Sequence, residues 1–158
     1  MTENYLQIMT ESLEKKLDVL DRISEVNKRQ FEASTKRPFN MEAYDAVMEE
    51  KGALIEELNH LDEGFTSTYE LVREDVQKEP EKYRQQVLRM QELVREAVDK
   101  GVSIEAQEKR NKASMEAALN TKRKEMRERK VSASAATKYY SAVSRLNNVD
   151  PQLMDRKK

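Results

Sequence analysis

The chain contains no cysteine and no tryptophan, and it has only three glycines and three prolines among its 158 residues. The lack of cysteine excludes disulfides, thiolate metal sites and cysteine nucleophiles, so the fold must depend on side-chain packing. Few glycines and prolines mean few helix breakers. This scarcity favours long helices over a structure rich in turns.

Long hydrophobic runs are also missing. No apolar stretch approaches the roughly 18 residues that a membrane-spanning helix needs. The first ten residues lack the basic segment and the following apolar segment of a secretion signal. We therefore expect a cytoplasmic protein that does not insert into a membrane.

Charge is abundant instead. Charged residues make up 37% of the chain and hydrophobic residues another 37%, a balance typical of exposed helices with a narrow apolar face. Residues 1–100 hold 15 Lys and Arg against 23 Asp and Glu, whereas residues 101–158 hold 14 against 7. This asymmetry predicts that the two parts of the chain prefer different partners.

Apolar residues that recur every three or four positions predict helices. The three predicted helices span residues 3–33, 40–77 and 80–130. Pro38 interrupts the first pattern and Asn40 can cap the second helix, so a turn is expected between antiparallel helices. Pro80 suits the first turn of the third helix. The apolar face of the first helix consists of Leu6, Met9, Leu13, Leu17, Leu20 and Ile23.

The second helix has a heptad pattern in which Lys51 and Thr68 are the two positions that are not apolar. Gly64 lies inside this pattern and is expected to weaken or bend the helix. The apolar positions are Tyr44, Val47, Leu54, Leu58, Leu61, Phe65 and Val72. The residues expected to widen the apolar face are Ile55, Tyr69 and Val76.

The third helix begins with a good apolar seam that then deteriorates. Gly101, Glu108 and Asn111 occupy later seam positions, so the far half is expected to be marginally stable or to be completed by a partner. The first seam residues are Tyr83, Val87, Met90, Val94 and Ala97, and the thinner continuation is Met115, Leu119 and Met126.

From residue 131 the composition changes to Ser, Ala, Thr and Asn, with apolar residues too sparse for a core. We therefore expect an all-α protein, an antiparallel helical hairpin or three-helix coiled-coil-like bundle at residues 1–130 with a long third helix. Residues 131–158 are predicted to form a flexible tail that is disordered, or helical only when bound to a partner.

No catalytic, metal or cofactor site is predicted. His60 is the only histidine, and although Glu57 lies at the spacing of a metal-ligand pair in di-iron bundles, the second such pair is missing. The three glycines are isolated, so there is no phosphate-binding loop. We expect a protein that is not an enzyme.

The predicted activity is therefore protein binding. The end of the third helix and the tail carry apolar side chains that the chain itself has little means of burying, and methionine suits an adaptable surface. The predicted partner-binding residues are Met115, Leu119, Met126, Tyr139, Tyr140, Leu146, Leu153 and Met154.

The order of these features, with the Tyr139-Tyr140 pair and the ending Val149-Asp150-Pro151-Gln152-Leu153-Met154-Asp155-Arg156-Lys157-Lys158, resembles the FlgN-type flagellar export chaperones. The resemblance implies a cytoplasmic chaperone that holds hook-associated flagellar subunits before secretion, prevents their premature assembly and delivers them to the export gate. It implies no catalytic residues, and it places partner binding at about residues 115–154.

Two alternatives stay open from the residues. One is a structural coiled-coil adaptor that self-associates, so a homo-oligomer is compatible with the sequence. The other is non-specific nucleic-acid binding, which Glu125 and Glu128 disfavour because they interrupt the basic cluster, and for which stacking aromatics are not visible. The basic residues concerned are Lys109, Arg110, Lys112, Lys122, Arg123, Lys124, Arg127, Arg129 and Lys130.

Overall fold

The computed structural model describes residues 1–132, and 92% of them lie in helices, with no strand in that range. The helices are α1 (Thr2–Thr35), α2 (Met41–Lys78) and α3 (Arg84–Ser132). The predicted all-α fold is confirmed. The predicted tail falls outside the described residues apart from its first two positions.

Contacts between α1 and α2 establish that these helices are antiparallel. The Lys16 ammonium lies 2.8 Å from the Asp62 carboxylate, and the Arg29 guanidinium lies 2.5 Å from the Glu50 carboxylate. Residue numbers that increase along α1 therefore lie opposite residue numbers that decrease along α2. The short connection between them fits such a hairpin.

Helix α3 runs parallel to α1. The Lys100 ammonium lies 2.7 Å from the Asp21 carboxylate, and further along both helices the hydroxyls of Ser34 and Ser114 are 2.6 Å apart. The three helices thus alternate in direction along the chain, so α2 is antiparallel to both of its neighbours.

The helix starts have local causes. The Asn40 side-chain oxygen accepts a hydrogen bond of 3.1 Å from the Ala43 amide, which satisfies one of the free donors at the start of α2 as predicted. Helix α3 begins at Arg84, four residues later than predicted from Pro80. Residues 80–83 form a turn instead, and the buried Tyr83 carbonyl accepts the Val87 amide at 3.0 Å.

Neither Gly64 nor Gly101 breaks its helix. Helix α2 continues through Gly64 and α3 continues through Gly101. A Cβ added at either position would meet nothing within 4 Å, so close packing does not require glycine there. The expected weakening at Gly64 therefore produces no interruption of the helix.

Two apolar clusters hold the helices together. The first, called here the apolar end, has the buried residues Leu6, Met9, Leu13, Val72, Tyr83, Met90 and Leu93. The second consists of Val19, Ile23, Val26 and Leu54, with the half-buried Val47, Leu58, Leu61 and Ile104 packed against it. Most of the seam predicted for α1 and α2 is therefore buried.

Three predicted seam assignments are wrong. Ile55 and Tyr69 do not widen a buried face, because they are 40% and 42% exposed. In α3, Val94 is 43% exposed and the adjacent Leu93 is 1% exposed. Either residue continues the spacing of three and four between Met90 and Ala97. The structure buries Leu93, whose side chain is larger and gains more from leaving water.

The described chain divides into two compact units, of which the first comprises residues 1–115 and the second begins at Glu116. Helix α3 spans this division as a continuous helix. The first unit contains both apolar clusters. The predicted limit of the folded body near residue 130 stays a prediction.

Candidate functional site: the carboxyl-terminal half of helix α3

The residues predicted to bind a partner divide into two sets. Met115, Leu119 and Met126 lie on α3, with Met115 in the first compact unit and the other two in the second. The set that lies outside the described residues is Tyr139, Tyr140, Leu146, Leu153 and Met154.

The three described residues differ in accessibility. Met115 is 1% exposed and is therefore a core residue of the first unit, not a member of an open stripe. Leu119 and Met126 are half-buried. The sequence placed all three on one thin seam because it could not distinguish a seam that the chain covers from one that it leaves accessible.

Immediately before Met115, α3 is held in place by polar side chains. We call this group the polar layer; it joins the three helices, and its members range from buried to half-buried. Its members are Ser24, Asn27, Gln30 and Ser34 of α1, Tyr44 and Lys51 of α2, and Gln107, Glu108, Asn111 and Ser114 of α3.

Hydrogen bonds between α1 and α3 form one side of the polar layer. The Asn27 amide nitrogen donates to the Gln107 side-chain oxygen at 3.1 Å, and the Gln107 nitrogen donates to the Ser24 hydroxyl at 3.0 Å. The Asn111 nitrogen donates to the Asn27 backbone carbonyl at 3.0 Å. These directional contacts fix the register of α3 on α1.

Lys51 forms the other side of the polar layer. It is 5% exposed, and its ammonium donates to the Gln30 oxygen at 3.0 Å and lies 2.5 Å from the Glu108 carboxylate. Gln30 in turn donates to the Tyr44 hydroxyl at 3.1 Å. Burial raises the pKa of Tyr44, and the hydrogen bond from Gln30 opposes that shift. One lysine therefore connects α2 to both of its neighbours.

The polar layer is not fully satisfied. Among the described residues, the side-chain oxygens of Asn27 and Asn111 are buried and accept no hydrogen bond from the protein. A buried polar group without a partner typically costs about 1–3 kcal/mol. The free energy holding α3 at this level is therefore smaller than the number of hydrogen bonds suggests.

The sequence pattern identifies only a minority of the polar layer. Lys51, Glu108 and Asn111 were recognised as polar residues at seam positions, but the seam of α1 was ended at Ile23. Spacing alone would extend the seam of α1 beyond Ile23. The next residues at intervals of four, three and four are Asn27, Gln30 and Ser34.

Beyond the polar layer, α3 becomes strongly basic. Residues 116–132 contain six Lys and Arg against three Asp and Glu. Arg129 and Lys130 lie in the last turn, where positive charge interacts favourably with the helix dipole. This charge suits a partner surface that is acidic.

Other kinds of site find little support in the part of the chain that the structure describes. His60 lies exposed on α2, and residues 1–132 contain no group of three side chains suited to hold a metal ion. No helix in this range is both long enough and apolar enough to cross a membrane.

The fold therefore defines a class: an all-α protein of three long helices with a polar layer inside its bundle. Comparison of the chain with family models, curated proteins and solved structures gives no match. The function of the protein must therefore be inferred from its own residues.

Proposed function

We propose that the protein is an export chaperone that binds hook-associated flagellar subunits and prevents their premature assembly before secretion. In this proposal the carboxyl-terminal half of α3 and the following tail enclose an amphipathic segment of the client. The long helices α1 and α2 act as the scaffold, and the chaperone delivers the client from the cytoplasm to the export gate.

The observation that carries the proposal is the extension of α3 beyond Met115. Between Glu116 and Lys130 the helix buries one side chain, Ala118, while Leu119 and Met126 are half-buried. Isolated helices rarely persist on propensity alone and usually need a packed apolar face. A client helix would supply additional apolar surface to pack against this segment.

The polar layer supports the same proposal. Two buried acceptors without partners reduce the free energy that holds α3 against α1 at Asn27 and Asn111. Segments that open for binding are usually drawn from the less stable parts of a protein. A client can therefore compete for this part of α3 more easily than for the apolar end.

Deletion of residues 131–158 tests the contribution of the tail. We expect client binding to be lost or greatly weakened, because the tail supplies anchors such as Tyr140 and Leu153. Calorimetry or co-purification with hook-associated subunits measures this, while circular dichroism should show helicity and melting temperature close to those of the full chain. Binding as tight as that of the full chain would place the client site on the hairpin.

A charge substitution tests the helix itself. Leu119→Glu should weaken client binding because it places a carboxylate in the apolar contact. Leu71→Glu is a matched control, since Leu71 is 65% exposed on α2 and outside the proposed site. Equal binding by both variants would exclude α3 as the client surface.

A structural adaptor that self-associates is the second candidate, favoured by apolar side chains that α3 exposes in its first half. Light scattering distinguishes the two candidates. A stable oligomer that ignores hook-associated subunits supports the adaptor.

A further inference from the structure

Helix α3 exposes three valines on one side. Val94, Val98 and Val102 are 43%, 58% and 63% exposed, and their spacing of four residues brings them together along the helix. We call them the valine stripe. Leu88, 48% exposed, also lies on α3 but away from the valines along the helix, whereas exposed residues such as Ile8 and Leu71 lie on other helices and are of the scattered kind that folded proteins tolerate.

The valine stripe is unusual for a surface that faces water. Valine is β-branched and loses side-chain freedom in a helix, so Lys, Glu or Ala would stabilise an exposed helical position better. Gly101 adjoins the stripe and weakens helix propensity further. A residue choice that sacrifices both helix propensity and solubility favours a face that another helix covers.

We propose that a second copy of this chain covers the valine stripe, with the two α3 helices antiparallel and a two-fold axis at Val98. In such a pair, positions equally far from Val98 face each other. Val94 then packs on Val102 of the second copy, and Val98 packs on its own counterpart. Two-fold symmetry makes every contact occur twice.

The exposed polar residues beside the stripe are complementary in this arrangement. Gln91 and Glu105 are both seven residues from Val98, so the Gln91 amide faces the carboxylate of Glu105 of the second copy. Arg95 and Asp99 of the second copy are offset by two residues, or about 3 Å along the axis, and the same offset separates the two copies of Asp99, so the two Arg95 side chains also neutralise the repulsion between these carboxylates.

A parallel pair in register lacks this complementarity. Each residue would lie level with its own counterpart, and Glu105, which is close to the centre of the stripe, would face Glu105 of the second copy. Like charges at close range oppose association. Glu105 therefore disfavours the parallel orientation.

The small apolar contact predicts a weak dimer. Interfaces at the low end of the size range are usually transient, so the proportion of dimer should rise with protein concentration. The valine stripe belongs to residues 1–115, whereas Leu119 and Met126 belong to the second unit. The inference is therefore independent of the proposed chaperone function.

Single cysteines test the orientation, because the chain has no cysteine of its own. Under mild oxidation we expect Val98→Cys to form a disulfide-linked dimer, since symmetry brings the two copies of this position together. Val94→Cys and Val102→Cys should each cross-link poorly alone and efficiently when mixed. Leu71→Cys, on α2, provides the background rate of random collision.

Two results would overturn the proposal. One is cross-linking of Val98→Cys no faster than that of Leu71→Cys. The other is efficient self-cross-linking of Val94→Cys with no gain on mixing, which indicates a parallel pair.

Sedimentation of the unmodified chain provides a second measurement. Val98→Glu should remain monomeric at concentrations where the parent dimerises, with unchanged helicity because Val98 is exposed. Arg95→Asp should weaken dimerisation and Asp99→Arg should partly restore it in the double variant. A parent chain that is monomeric up to its solubility limit contradicts the proposal. Val98→Glu should still bind the client, because Val98 lies outside the proposed client site. A failure to dimerise can therefore be distinguished from a failure to bind client.

Discussion

The apolar end and the polar layer are built by the same three helices, yet they hold those helices in different ways. At the apolar end, buried side chains such as Leu6, Val72 and Leu93 remove apolar surface from water. In the polar layer, Asn27 and Lys51 form directional hydrogen bonds whose net contribution to stability is small. The apolar end therefore contributes more to stability, and the polar layer fixes the alignment of the helices.

The largest expected effect is at the apolar end. Leu93→Ala should lower the free energy of unfolding by about 2–5 kcal/mol, because it removes transfer free energy and leaves a cavity at a site that is 1% exposed. Denaturant unfolding followed by circular dichroism measures this change.

The neighbouring residue provides the control. Val94→Ala changes an exposed side chain and should alter the free energy of unfolding by no more than about 0.5 kcal/mol. A larger loss for Val94→Ala than for Leu93→Ala would mean that the register of α3 is the one predicted from the sequence.

That pair of residues also marks the limit of what the sequence predicts. Helix number and fold class followed from apolar spacing and from the turns at Pro38 and Pro80, and the structure confirms them. Leu93 and Val94 satisfy the same spacing, so periodicity alone could not choose between them. The choice depends on how three helices fill their shared interior, which is a property of the assembled bundle.

The candidate site was less predictable than the fold. The thin apolar pattern around Met115 predicts an accessible side chain, but in the structure it is 1% exposed. The sequence analysis assigns neither Asn27 nor Gln30 to the apolar face of α1, yet the structure pairs them with Gln107 and Lys51. Partner choice between polar side chains is set by long-range contacts that a single sequence does not display.

In the polar layer we expect a substitution to stabilise the protein moderately, in contrast to the loss of stability expected for Leu93→Ala. Asn111→Leu removes a buried acceptor that has no partner and replaces it with an apolar side chain. We expect the free energy of unfolding to rise by about 1 kcal/mol, because the desolvation cost of the unpaired oxygen disappears. Thermal and denaturant unfolding of the variant beside the parent measure this gain.

A destabilised Asn111→Leu variant would reverse the comparison between the two regions. It would mean that the hydrogen bond from Asn111 to the Asn27 carbonyl contributes more than the unpaired oxygen costs. Leu93→Ala provides the reference for a true loss of core packing in the same assay.

The smallest effect is expected at the surface beside the polar layer, where Arg29 and Glu50 form an ion pair between α1 and α2. The hydrogen bond between them lowers the pKa of Glu50 and raises the pKa of Arg29. Both side chains are about half exposed, and water screens such pairs while the ordering of long side chains opposes them. Arg29→Ala should therefore melt within a degree or so of the parent, with little change between low and high salt. A loss comparable to that of Leu93→Ala would show that surface charge, and not the buried side chains, holds this part of the hairpin together, and the contrast between the two regions would then have to be redrawn around ion pairs.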